Sequence, residues 1–369
     1  MPTVASITGL LDRFAPPSLA ADWDNVGLLL GDDRANVKRL MTCLTLTEAV
    51  VAEAVESHVE MIVTHHPIFF RPVQRVTTAS QSTRHIWELA KSNIAVYSPH
   101  TAFDNTVHGI NDILARRLEV RDAKPLRPKL APAEYKIVVF VPASDLEAVS
   151  QGLFDAGAGR IGEYTECSYR LEGTGTFFGS EETNPTVGEK GRREFAPETR
   201  LETVCQKGNL AKAIAAIYKF HSYEEPAFDV YPLEPRASGI GEGRIGNLAN
   251  ATTLAEFAQR VRKELNASAV QVVGDFDRQV RKIAIACGAA GEYLKDAGRA
   301  KADVFLCGEM RFHDYLSAES QGISLVLPGH YASERPAVEE LATLLQEEWP
   351  DLSVWASKKE TDPVRHVME

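Results

Sequence analysis

The sequence predicts an α/β protein in which the N- and C-terminal segments form one split domain around an inserted α+β domain. Two observations predict this. A strand–helix–strand rhythm runs over residues 4 to about 118 and returns from residue 246 onward, while the stretch between has longer, more polar, turn-rich connections. Segments rich in Pro, Lys or Gly flank that stretch, "KPLRPKLAPAE" (124–134) and "EPRASGIGEGRIG" (234–246), and read as linkers. The expected parts are residues 1–125 and 236–369 as the two halves, and residues 126–235 as the insertion. A chain of 369 residues has length for two or three domains.

In chain order, "RLMTCLTLT" reads as a buried strand, "EAVVAEAVES" as a helix, "VEMIVT" as a strand, "RHIWELAKS" as a helix and "NIAVYSPH" as a strand. The insertion opens with "YKIVVFVP" and continues through "GTGTFFG" and "ETRLETVC" to "AFDVYPLEP". After it, "TLAEFAQRVRKEL" is helical, "KIAIAC" a strand and "GEYLKDAGRA" a helix. "ADVFLCG" is then a strand, "YLSAESQG" a helix, "SLVLPGH" a strand and "AVEELATLLQEEW" a helix. If the outer segments pack together, residues far apart in sequence become neighbours.

Composition excludes several classes. With 44% hydrophobic and 25% charged residues the chain is an ordinary soluble globular protein. A net charge of −11 argues against a dedicated nucleic-acid surface. No apolar run approaches the ~20 residues that span a bilayer. The start, "MPTVASITGLLDRFAPP", has no signal-peptide pattern, and the five scattered cysteines read as reduced thiols, so a cytoplasmic protein is expected.

Candidate chemistry gathers at apparent strand ends, where open α/β sheets place their ligands. His65 and His66 end one strand in "VEMIVTHHPIFF", His100 follows another, and His330 follows "SLVL". Asp104 and Glu334 lie four residues after His100 and His330, a spacing that returns each acid to its histidine on a helix. Pro336 places the start of the second helix only around Ser333. Successive side chains on a strand point to opposite faces, but at a strand end, with Pro67 holding His66 extended, the two imidazoles can diverge toward different ions. Nitrogen and carboxylate donors without sulfur suit Zn, Fe or Mn. His65, His66, Asp104, His330 and Glu334 exceed one tetrahedral shell, which favours two ions ~3.5–4 Å apart. The alternative is a set of unrelated polar residues.

Other motifs are weaker. "GAGRIG" (157–162) and "GEGRIG" (241–246) match a dinucleotide fingerprint but lack the strand before and the helix within, so both read as turns. "CGAAGEYLKDAG" (287–298) reads as a tight strand-to-helix turn, with phosphate binding at its helix start as the alternative. No nucleophile elbow, Walker loop or kinase set is present.

The blocks "DWDNVGLLLG", "IVTHHPIFFRP", "VYSPHTAFDN", "GEGRIGNL" and "PGHYASE", in that order, resemble the signatures of the GTP cyclohydrolase 1 type 2 homologues, also called NGG-one-interacting-factor-three-like proteins. The middle segment resembles the PII-like domain inserted in longer members. The resemblance implies a dinuclear site on a split metal-binding domain, with His65, His66, Asp104, His330 and Glu334 as ligands to two divalent ions. It places His100 beside them in a supporting or proton-transfer role. Thr45 stands where many members carry Asp, a position outside the ligand set. A ring-shaped homohexamer is implied, as is opening of the GTP imidazole ring with formate release. Two alternatives stand beside that reaction: another metal-dependent hydrolase, such as a phosphoesterase acting on a nucleotide or other small molecule, and a non-enzymatic metal-binding or regulatory ring.

Overall fold

Strands from the two ends of the chain share sheets. The last strand, Ser353–Ala356, pairs in parallel with Arg39–Cys43 and completes a five-stranded sheet in the order Gly27–Leu30, Ala95–Ser98, Met61–Thr64, Arg39–Cys43, Ser353–Ala356. Conversely, Arg121–Lys124 forms the edge of a six-stranded sheet whose other members, Gln271–Val273, Ser324–Leu327, Val304–Glu309, Gln279–Ala289 and Arg244–Thr253, all come from the C-terminal segment. The computed structural model describes residues 1–130, 133–162, 164–234 and 237–367. It divides into two compact units, Met1–Lys129 with Gly239–Glu369, and Leu130–Ser238.

The outer unit is a mixed α/β structure. Met61–Thr64 and Ala95–Ser98 in one sheet and Ser324–Leu327 in the other are buried throughout; the first is parallel to both neighbours, and the other two are parallel to one neighbour and antiparallel to the other. Both faces must therefore be covered, which is why these strands read as unbroken apolar runs. One hydrophobic core joins the halves: Val4, Ile7, Leu40, Met61 and Leu114 pack in the same cluster as Phe257, Ile283, Leu306 and Leu345. The helix His330–Glu348 lies against strands of both sheets, and Thr42 Oγ1 in one strand donates to Val338 O of that helix (2.9 Å) in a buried hydrogen bond.

Two expectations are corrected here. The flanking segments are not free linkers. Arg121–Lys124, Arg127–Leu130, Ala237–Glu242 and Arg244–Thr253 are strands; Pro125 beside the first and Pro128 within the second favour extended backbone, and the edge positions of these two tolerate the missing N–H. The helix after "PGH" starts at His330, not near Ser333. Pro336 forfeits one hydrogen bond inside it without ending it, and His330 and Glu334 share one helical face.

The inserted unit follows a βαββαβ order, with an antiparallel sheet Phe228–Pro232, Glu134–Val141, Arg193–Gln206, Ser168–Phe178 and helices Leu146–Asp155 and Leu210–Phe220. It carries a cavity of about 450 Å³ walled by Phe140, Phe177, Phe178 and Val187, with no His or Cys in its lining. "GAGRIG" falls in the turn after Leu146–Asp155, and "GEGRIG" at a strand–strand turn with Gly243 at φ +61°. "CGAAGEYLKDAG" is a tight turn from Gln279–Ala289 into a short 3₁₀ turn and the six-residue helix Leu294–Arg299. All five cysteines are free thiols. No helix among the described residues is long and apolar enough to cross a membrane.

Candidate metal centre

His65 and His66 sit just past Met61–Thr64, and their backbone N–H groups continue the ladder to Cys43 O and Leu44 O (both 2.9 Å). Ser98 Oγ on the adjacent strand donates to His65 O (2.7 Å). That strand leads through Pro99 into the helix His100–Asn105, which carries Asp104. His100 opens the helix at φ +28°, a backbone angle disfavoured for any residue with a Cβ and held here by its surroundings. From the second sheet come Gly288, Glu309 and the helix bearing His330 and Glu334. All six sequence-predicted site residues meet in the outer unit, and His66, His100, Asp104, His330 and Glu334 line a cleft of about 430 Å³.

Glu334 stands at the centre. Its Oε2 lies 3.2 Å from His66 Nε2 and 3.1 Å from His330 Nε2, while Oε1 is 3.8 Å from His65 Nε2. His65 Nε2 is also 3.7 Å from Asp104 Oδ1. These atoms are near one another without hydrogen-bond geometry: His65 Nδ1 and Nε2, Asp104 Oδ1 and Glu334 Oε2 are buried and unpartnered among the described residues. Burying such groups unsatisfied costs roughly 1–3 kcal/mol each, a cost that a shared cation removes. Two triads have donor atoms all within 4.8 Å, His65–His66–His100 and His66–His330–Glu334. Gly288 makes room for this arrangement. At φ +63° it has no Cβ, which would sit 2.3 Å from Glu334 Oε1.

Partners behind the donors fix their orientation, as metal-binding histidines require. Thr45 Oγ1 meets His66 Nδ1 (2.7 Å), and Glu309 Oε1 meets His330 Nδ1 (3.0 Å). The backbone at Thr45 is itself held by the buried Glu360, whose carboxylate accepts from Leu44 N (2.9 Å) and Thr45 N (2.6 Å). Asn111 donates to Asp104 O (3.0 Å) and accepts from Cys287 N (2.9 Å), tying the helix that carries Asp104 to the second sheet at the site. His100 Nδ1 pairs with Asp24 Oδ1 at 2.7 Å, and Asp24 also accepts from Thr101 N (3.1 Å) and Thr101 Oγ1 (2.5 Å). Asp24, Glu309 and Glu360 were not singled out in the sequence. Asp24 lay in view within "DWDNVG", and Glu309 follows "ADVFLCG" at a strand end.

The electrostatics suit a cation. Burial pushes the Asp104 carboxyl up to about 7, aided by the charge on Glu334. Burial drives His65 well below the usual imidazole range. His330 is pushed up to about 9 by the Glu334 carboxylate beside it, against its burial. Burial would raise Asp24, but His100 and Thr101 outweigh it and hold the carboxyl at about 2, so Asp24 is ionised and accepts the His100 Nδ1 proton. Burial opposes a proton on His100, yet Asp24 prevails and raises its pKa.

A pH dependence follows for the metal-free protein. Asp104 and His330 both titrate higher folded than unfolded, so the folded state binds more protons. Their contribution to stability is full below the unfolded values of 3.8 and 6.5 and is lost as pH rises through about 7 and about 9. A divalent ion held by these groups would replace those protons, so its binding would strengthen with pH. The thermal midpoint gained on adding Zn²⁺ or Mn²⁺ to chelated protein should be larger at pH 8 than at pH 5.5. Differential scanning fluorimetry at both pH values checks this, and an equal or smaller gain at pH 8 contradicts it.

A mixed α/β fold with buried His and carboxylate donors converging at its strand ends defines a candidate metal-binding protein. The family model Duf34/NIF3 (NGG1p interacting factor 3) matches residues 2–363, and the chain belongs to this family. It is 38% identical over 365 residues to a GTP cyclohydrolase 1 type 2 homolog of Halalkalibacterium halodurans, covering 98% of both chains. A protein of the same name from Bacillus subtilis is 36% identical over 360 residues, covering 97% of this chain and 96% of the relative. The crystal structure of a Bacillus cereus protein related to NIF3 superposes with a TM-score of 0.83 at 34% identity, covering 99% of both chains.

Proposed function

We propose that the cleft holds two divalent ions, Zn, Fe or Mn, and that the protein is a metal-dependent hydrolase. The first reaction to test is GTP ring opening with formate release, which the name of its relatives suggests. The observation that carries the metal reading is the convergence of buried, unpartnered donor atoms on His65, Asp104 and Glu334. His66, His330 and one oxygen of Glu334 would hold one ion, and His65, Asp104 and the other oxygen the second. Bound ions of this kind act as Lewis acids and bring the ionisation of water near neutral pH, about 7 for zinc.

The chain's own residues supply the rest. Asp24 keeps the His100 proton on Nδ1, which leaves Nε2 as the nitrogen that takes or gives a proton at the cleft. Thr45 and Glu309 hold His66 and His330 in the orientation that presents Nε2 to Glu334. The reading also includes assembly into a hexameric ring and a PII-like identity for the insertion, both supported by the sequence resemblance.

The test is metal-reconstituted protein offered GTP and a panel of phosphoesters, with His66→Ala as control. Formate should appear from GTP and vanish in His66→Ala. Formate that persists in the variant points to a contaminant and sinks the reading. Phosphoester cleavage without formate replaces the reaction, and bound metal without any turnover leaves a binding or regulatory protein.

A further inference from the structure

We propose that Trp23 and Phe70 form an aromatic platform at the metal cleft that receives a planar heterocyclic ring, and that the cleft reads this ring and not a phosphate chain. The proposal deepens the hydrolase reading by naming its substrate class, and rests on that reading for what happens to the ring after it binds. Both side chains line the cleft, and both are largely exposed, Trp23 at 66% and Phe70 at 54%. Large apolar rings left in water beside buried donors are surface that a ligand can cover, with gain from the apolar area removed from water.

The platform is built in advance. The two rings stand edge-on to His100, with centroids 5.9 and 5.6 Å away and interplanar angles of 73° and 84°. The loops that carry them are stapled together, since Asn25 Nδ2 donates to Phe69 O at 2.7 Å. Asn25 N also donates to Asp24 Oδ1 (2.8 Å), the carboxylate that Thr101 and His100 already fix. Neighbours of each ring are therefore pinned, so little ordering cost falls on binding.

Charge selects the ring over a phosphate tail. Arg127 is the sole Lys or Arg among the described residues lining the cleft, beside Asp104, Glu242, Glu292 and Glu334. Its guanidinium is already held by Glu242 (2.9 Å) and Asp296 (2.6 Å) and lies 4.5 Å over the Tyr293 ring. Away from the proposed ions, which would take up Asp104 and Glu334, a phosphate chain would meet Glu242, Glu292 and a committed arginine, whereas phosphate sites present free Arg, Lys or backbone N–H groups. A neutral planar ring meets Trp23, Phe70 and, deeper, His100.

The experiment is isothermal titration of the metal-loaded protein with guanosine, GTP and ribose 5-phosphate, for wild type, Trp23→Ala, Trp23→Phe and Phe70→Ala. Metal content is measured in each variant to separate ring binding from metal loss. Guanosine and GTP should bind with Kd values within about threefold, and Trp23→Ala should weaken both about tenfold, as loss of one base-stacking contact does. Trp23→Phe should recover most of that, and ribose 5-phosphate should bind at least about tenfold more weakly than guanosine. Ribose 5-phosphate binding as tightly as GTP, or Trp23→Ala leaving affinity unchanged at full metal content, overturns the proposal. Turnover is scored separately. Trp23-dependent nucleoside binding without hydrolysis supports the platform while the hydrolase reading fails, and hydrolysis with a KM indifferent to Trp23 sinks the platform alone.

Discussion

On the proposed two-ion reading, Glu334→Gln should abolish binding of both ions, whereas His330→Ala should abolish binding of one. The difference comes from where the two oxygens of one carboxylate lie. Glu334 Oε2 faces His66 Nε2 and His330 Nε2 at 3.2 and 3.1 Å, and Oε1 faces His65 Nε2 at 3.8 Å. A single side chain thus reaches both halves of the donor set, while His330 reaches one. The carboxylate is almost wholly buried, and its surroundings hold its pKa far below the usual range: burial would raise it, but His65, His66 and His330 outweigh burial. It is therefore held as the carboxylate, the form that a cation binds. The amide keeps its volume, so the fold and the space above Gly288 are retained, but it offers neither the charge nor two equivalent oxygens. Elemental analysis after dialysis against equal metal should give about two ions per chain for wild type, about one for His330→Ala and well below one for Glu334→Gln. Two ions retained by Glu334→Gln would show that the carboxylate does not bridge.

How much of this was legible in the sequence depends on the range over which each feature is encoded. The parallel strands were legible because burial on both faces makes them apolar throughout, and the histidines ending them stood out against those runs. Asp104 and Glu334 were legible through a four-residue spacing, which is a property of one helical turn. Pro336 misled, because its local rule concerns one hydrogen bond and says nothing of the tertiary packing that carries His330–Glu348 past it. The strands in the flanking segments were hidden for a related reason: Arg121–Lys124 is exposed at every position and has no apolar alternation to betray it. The groups behind the metal donors were the least visible. Asp24 meets His100 across 76 residues, and Glu360 meets Leu44 across 316, so no local pattern connects them. Only the fold brings those pairs together.

Arg244→Met should destabilise the outer unit by about 3 kcal/mol, the lower end of what breaking a buried ion pair costs, because Asp112 keeps one-fifth of its side chain in water. Arg244 arises from "GEGRIG", which a nucleotide motif search would misread, and its role is mechanical. It is 1% exposed and heads the largest fully buried side chains among the described residues. Its guanidinium pairs through two nitrogens with Asp112, and also donates to Thr106 O, Gly241 O and Gly243 O (each 2.8 Å). Asp112 and Thr106 belong to the N-terminal segment, Gly241 and Gly243 to the strand pair that follows the insertion. One side chain therefore closes the seam between the halves, next to the Asn111 bridge that seats Asp104. Methionine fills much of the volume but takes the counter-charge from Asp112, whose Oδ2 keeps only the His108 N–H (2.7 Å), and leaves Thr106 O only the longer bond from Gly109 N (3.3 Å), and stranding a largely buried charge is what makes the loss large. Asp112→Asn alone should cost less, since the amide still accepts one hydrogen bond. Adding Asp112→Leu to Arg244→Met should recover part of the loss, because replacing both partners of a buried pair with apolar groups is frequently neutral. Urea unfolding of the three variants measures this. A loss under about 1 kcal/mol for Arg244→Met, the level of an exposed pair, would mean that the seam is held by the shared hydrophobic core and not by this arginine.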